Sequence, residues 1–262
     1  MSEATIDQTL SSPPKTGEEA IGRKLSLREH ILELRRRLIY SVLAVVVTTG
    51  AAFVFIDRIF KVLIRPVGGV QLVYTQMTEM LMVYFTLALT IGVAAALPFI
   101  LLQAIKFVAP ALFPREKVFL YAMLPAVLIA FALGASFAFF VLLPPAFRFL
   151  LGFGSDIATP LISINNYVSL VTRLLFWIGV VFETPVVVFI LAKIGIVNAG
   201  MLARKWRLAI LVSFIAAAII TPTPDPVNQS LVAVPLVCLY GVSILLAHVA
   251  QLGKKRKAPA PP

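Results

Sequence analysis

Apolar residues run through this chain in long unbroken stretches, without the two-residue alternation of a half-buried strand. Uncharged segments extend from Leu38 to Ile56, Met80 to Ile105, Val118 to Phe147, Leu174 to Phe182 and on past Glu183, Leu208 to Pro224, and Pro226 to Leu252. In lipid every backbone polar group must be satisfied internally, which leaves helices or a closed barrel, and unbroken runs select helices. The pattern therefore predicts an all-α fold: a polytopic membrane protein with six transmembrane helices. At about 1.5 Å per residue the third run reaches ~45 Å, beyond a hydrocarbon core of ~30 Å, while the fifth reaches only ~25 Å. The helices are of unequal length. Pro98, Pro125, Pro144, Pro145, Pro185 and Pro235 lie inside or beside the runs, each removing a backbone donor, so a curved bundle is expected. The runs show no internal repeat, unlike the inverted repeats of many secondary transporters.

Composition agrees with lipid as the solvent. The chain is 60% hydrophobic and 13% charged, with a mean hydropathy of +0.97. Its formal charge of +11 is mostly an orientation signal: eighteen Lys and Arg fall on the side of the two termini and four on the other, with Arg173 left over. The positive-inside rule then places both termini in the cytoplasm. Anionic lipid accounts for this charge better than nucleic acid, for which no motif is present. Residues 1–25 are polar and acid-containing, unlike a signal or transit peptide, and are expected to be a disordered cytoplasmic tail. Residues 26–250 form the membrane domain, and 251–262 a basic, Pro/Ala-rich cytoplasmic tail. The single Cys238 and the separated His30 and His248 provide no disulfide, metal cluster or cofactor site.

Four places carry candidate chemistry. In HILELRRRL, before the first run, Ile31, Leu34 and Leu38 recur on one helical face, while Glu33 and Arg37 stand four apart and can pair. A basic membrane anchor with a solvated ion pair is the plainer reading. In FVAPALFPREK, between the second and third runs, Pro110 and Pro114 stiffen a short turn whose only carboxylate is Glu116. Glu116 shares a membrane face with Glu33, so the two carboxylates from different helices can converge on guanidinium forks, which bind carboxylates bidentately and would be preferred over Lys. Alternatively Glu116 pairs with Arg115 or Lys117. Glu183, in VFETP, is an ionisable group inside a span, costing at least ~2.5 kcal/mol, and Pro185 beside it leaves a polar notch. It is an ion or proton site, a hydrogen-bonding socket for a polar transmembrane residue, or a protonated acid satisfied within its own bundle. Asp225, in TPTPDPVNQ, precedes Pro226 as an N-cap precedes a proline at the first helical position. No phosphate-binding loop, HExxH or Gly-x-Ser-x-Gly is present, so no enzyme is indicated.

Over residues 30 to 250 these four stretches, in this order around six spans, resemble the TatC family, the multispanning receptor subunit of the twin-arginine (Tat) protein translocase. The resemblance implies a curved, glove-like bundle with two short final helices in a bacterial inner membrane, and Sec-independent transport of folded precursors driven by the proton motive force. It implies that Glu33 and Glu116 bind the paired arginines of the signal peptide. Arg35 and Arg37 would share the region, Phe107 and Pro110 would shape its floor, and Arg115 would position the turn. Glu183 would be the socket for single-span partner subunits of the TatA and TatB type, with Pro185 structural and Asp225 a cap that also serves assembly. Homo-oligomers within the complex are expected. The rival reading is a secondary transporter or channel using Glu183.

Overall fold

The computed structural model describes residues 27–65, 72–108, 114–153, 156–157, 159–221 and 225–255. The expected tails, 1–25 and most of 251–262, lie outside this set. Ten α-helices and two short strands are described: α1 (Leu27–Val54), α2 (Ile56–Leu63), β1 (Leu72–Val73), α3 (Glu79–Val108), α4 (Pro114–Phe137), α5 (Leu143–Gly152), β2 (Ile162–Ser163), α6 (Ile164–Phe182), α7 (Thr184–Ile194), α8 (Ala199–Arg204), α9 (Trp206–Ile220) and α10 (Pro226–Lys255).

Five segments are long and apolar enough to cross a membrane: Ile31–Val54, Glu79–Ala104, Met123–Gly152, Ile164–Ile194 and Pro226–Leu252. α9 is the sixth apolar helix, at 15 residues, or ~22 Å. Large side chains such as Val46, Leu133, Ile219 and Leu245 point outward at 60% exposure or more, the arrangement lipid permits and water penalises.

Prolines shape the third and fourth segments. Pro144 and Pro145 cannot donate to the preceding turn, and directly before them residues Ala138–Leu142 widen into a π-helical turn that joins α4 to α5. Pro185 opens α7, and Glu183 is the single residue between α6 and α7. The Glu183 amide donates to Val180 O at 3.1 Å, three residues back, before the regular pattern resumes with Val187 N donating to Glu183 O at 2.9 Å. Gly195 ends α7 with φ of 99°, a left-handed cap that favours glycine.

The core lies where α3, α6 and the α4–α5 junction meet, with Val83, Leu87, Leu143, Tyr167, Val168, Val171 and Ile178 fully buried. Glycines permit two close helix approaches. A Cβ on Gly92 of α3 would lie 2.6 Å from Thr49 Cα of α1, and one on Gly134 of α4 would lie 2.9 Å from Gly179 Cα of α6. Backbones in lipid pack this closely only through small residues. Thr48 uses the α1–α3 contact to donate its hydroxyl to Gly92 O at 2.7 Å.

The segment between α1 and α3 contributes α2 and β1. In α2, Ile56 and Leu63 are buried while Asp57, Arg58 and Lys61 are exposed, the two-faced pattern of an interfacial helix. Tyr84 OH donates to Asp57 Oδ1 at 3.3 Å and Tyr167 OH donates to Leu63 O at 2.6 Å, fastening α2 to α3 and α6. β1 then pairs in parallel with β2, Leu72 opposite Ile162 and Val73 opposite Ser163. Beside this ladder Glu79, only 7% exposed, accepts from Thr75 N (2.6 Å), Thr75 Oγ1 (3.2 Å), Gln76 N (3.3 Å), Asn165 N (3.1 Å) and the Ser163 hydroxyl. One carboxyl thus holds the starts of α3 and α6 at the same level.

Candidate functional site

The HILELRRRL stretch does not form a separate surface helix; it is the first part of the 28-residue α1. Its apolar positions Ile31, Leu34 and Leu38 face outward, 64%, 49% and 63% exposed, while Glu33 and Arg37 between them are part-buried and Arg37 reaches α3. Arg37 Nη2 donates to Glu33 Oε1 at 2.8 Å, with both side chains about one-quarter exposed. Arg37 Nη1 donates to Gln103 Oε1 of α3 at 3.2 Å. Arg37 Nε is buried without an acceptor among the described residues.

The outcome is a carboxylate held in place from behind. Glu33 gives one oxygen to Arg37, and Gln103, itself only 5% exposed, anchors the same guanidinium to the neighbouring helix. A guanidinium approaching Glu33 would meet a carboxylate whose rotamer is already fixed, which lowers the ordering cost of a bidentate contact. Sequence reasoning missed Gln103. Its only signal was a lone amide inside an otherwise apolar run, too common a feature to single out.

The other arginines behave differently. Arg35 is exposed. Arg36 donates from Nε to Tyr40 OH at 3.1 Å and stacks its guanidinium 5.5 Å from that ring. Phe107 is half-buried near the end of α3, four residues beyond Gln103 on the same helix. Residues 109–113, Pro110 among them, and the side chains of Arg115 and Glu116 lie outside the described residues. The backbone of 115 and 116 lies in the first turn of α4.

Glu183 sits far along the chain at the α6–α7 break. It is 6% exposed, and its Oε1 is buried with no hydrogen-bond partner among the described residues. The outward-facing residue at this level is its neighbour Thr184. An unsatisfied carboxyl at a proline-broken helix inside an apolar bundle is a costly feature. Asp225 caps α10: Oδ1 accepts from Asn228 N at 2.7 Å and Oδ2 from Asn228 Nδ2 at 3.0 Å, with Pro226 as the first helical residue. Among the described residues no cluster of metal-ligating side chains occurs.

Comparison with known proteins places this geometry in context. The sequence model for "Sec-independent protein translocase protein (TatC)" matches residues 29–235. The TatC protein of Carboxydothermus hydrogenoformans is 42% identical over 227 residues, covering 86% of this chain and 93% of that protein. The TatC protein of Aquifex aeolicus is 38% identical, covering 88% and 98% respectively. A crystal structure described as twin arginine translocase receptor TatC superposes with a TM-score of 0.76 at 38% identity, covering 85% of this chain and all of that one.

Proposed function

The chain belongs to the TatC family of Sec-independent protein translocase proteins, a non-enzymatic membrane family, and from that premise we propose that it binds twin-arginine signal peptides of folded precursors through Glu33 and Glu116. The observation that carries this reading is the Glu33–Arg37–Gln103 arrangement. It presents a pre-oriented carboxylate at the end of the bundle where α1 begins and α3 passes into α4. Glu116 follows the turn from the same α3 and is the second acceptor for a two-guanidinium ligand. Phe107, Pro110 and Arg115 shape and position that turn, and Arg35 belongs to its rim.

Six spans with both termini in the cytoplasm, α9 being the short one, are the topology we assign within a bacterial inner membrane. The lysine and arginine distribution supports it, since the α1, α3–α4 and α7–α9 ends hold most cations. Single-span subunits of the TatA and TatB type are the assembly partners, and the proton motive force drives transport. Glu183 is their contact, a buried acceptor awaiting a donor at a break in the helix. The same unpaired carboxyl also fits a secondary transporter, which would show ion flux by the purified protein alone.

The test is affinity of the detergent-purified protein for a signal peptide carrying Arg-Arg against the same peptide carrying Lys-Lys. A preference for Arg-Arg that disappears in Glu33→Ala and Glu116→Ala is the expected result. Equal binding of both peptides by folded protein would refute the receptor role.

A further inference from the structure

α2, α3, α4 and α6 line a half-open cavity of about 450 Å³, inside the ~300–1,000 Å³ range of ligand pockets. Its wall is apolar apart from Thr90, Thr172 and Arg58. Both threonine hydroxyls are engaged within their own helices, Thr90 with Thr86 O at 2.8 Å and Thr172 with Val168 O at 2.7 Å. Arg58 is exposed and, among the described residues, has no carboxylate within ion-pair distance. Its acidic neighbour Asp57 accepts from Tyr84 instead. The lining is almost wholly apolar, and the one charged residue that borders it is Arg58.

The cavity also has a direction. Arg58 belongs to α2, which is fastened near the starts of α3 and α6 by Tyr84 and Tyr167. Ala94 lies fifteen residues into α3 and Phe176 twelve residues into α6, ~22 Å and ~18 Å along those helices. A cation at the membrane edge thus heads an apolar slot that leads toward the middle of the spanning segments, matching one phospholipid with its phosphate outward and an acyl chain inward.

We propose that this cavity is a binding site for an anionic phospholipid, its headgroup on Arg58 and one acyl chain beneath α2. The chain gains nothing hydrophobic by leaving the surrounding bilayer, so discrimination between lipids comes from Arg58. One cation meeting an anionic lipid corresponds to about a fivefold preference over a zwitterionic one.

Trp177 adjoins the cavity-lining Phe176, with ring centroids 5.7 Å apart, and provides the probe. The full chain carrying Trp206→Phe, so that Trp177 is the single tryptophan, is placed in phosphatidylcholine nanodiscs containing a fixed fraction of chain-brominated phosphatidylglycerol or chain-brominated phosphatidylcholine. Quenching by the phosphatidylglycerol should correspond to about fivefold higher occupancy. Arg58→Gln, on an exposed helix face, should make the two lipids equal, and Ala94→Phe should remove the excess by filling the slot. Equal quenching in the parent protein, or an excess that survives Arg58→Gln, would overturn the proposal. So would a bound polypeptide, found by native mass spectrometry, that leaves both lipids equal.

Discussion

Replacing Gly92 by Ala tests whether the candidate site depends on close helix packing well away from it. The added Cβ would stand 2.6 Å from Thr49 Cα and 2.7 Å from Thr49 N, where carbon contacts need ~3.5–4.0 Å. Backbone atoms cannot rotate aside, so α1 and α3 must part by about 1 Å. Overpacking of this kind costs ~1–3 kcal/mol. The Thr48–Gly92 hydrogen bond, worth ~0.6 and at most ~1.7 kcal/mol between helices in lipid, weakens with it. The helix-propensity gain of Gly to Ala returns up to ~1 kcal/mol, leaving a net loss of ~1–3 kcal/mol. Gly50→Ala is the control, one residue beyond Thr49 with open space around it, and should be neutral or stabilising by up to ~1 kcal/mol. Equilibrium unfolding in mixed micelles titrated with dodecyl sulfate measures both. The separation also reaches the Arg37–Gln103 contact, eleven residues along α3 or ~16 Å away. That contact, at 3.2 Å, is at the long end of the hydrogen-bond range, so Arg-Arg peptide affinity should fall as well. If Gly92→Ala is as stable as Gly50→Ala, the close-packing account of α1 and α3 is wrong.

Tyr167→Phe removes the donor to Leu63 O and leaves a buried carbonyl unpaired, so the protein should lose ~1–3 kcal/mol, and hydrogen exchange should accelerate across α2. Asp225→Ala should cost ~1 kcal/mol through loss of the α10 cap, with Asp225→Ser recovering most of it; complex assembly that stays impaired in Asp225→Ser would assign Asp225 a role beyond capping. Glu183→Leu should raise the melting temperature of the isolated protein, because a buried carboxyl without a partner is removed, while lowering co-purification of single-span subunits. A lower melting temperature for that variant would show that Glu183 is satisfied within its own bundle.

The spans were legible because lipid tolerates only long apolar helices, but their starts were misplaced wherever polar residues fall on a helix. α6 begins at Ile164, ten residues before the uncharged run at Leu174. Its first turns carry Asn165, whose amide binds Glu79, and its outward face carries Asn166 and Arg173. The spacing of Ile31, Leu34 and Leu38 correctly gave α1 two faces. It did not say which face packs, and in lipid the apolar face turns outward while the Glu33–Arg37 face turns in. The β1–β2 ladder joins two-residue strands about ninety positions apart, and no local pattern specifies such a pairing. Gln103 was hidden for the related reason that its partner, Arg37, is 66 residues away.

Three buried polar side chains differ in how completely they are satisfied, and that difference separates scaffold from site. Glu79 accepts from five donors, which leaves it no capacity for a ligand and accounts for it as a fastening between α3 and α6. Gln103 spends its carbonyl on Arg37, and through that arginine it orients Glu33, only one of whose oxygens is engaged by Arg37. Glu183 has a buried oxygen with no donor at all. In a low-dielectric interior an unpaired acceptor is more costly than a paired one, so it persists where something outside the chain supplies the missing donor. The same reasoning distinguishes Arg58, an exposed cation that borders an apolar cavity without an ion-pair partner among the described residues, from Arg36, whose cation already rests on Tyr40. Incomplete satisfaction at Glu183 and Arg58, and a pre-oriented but half-used carboxylate at Glu33, are therefore where ligands are to be sought.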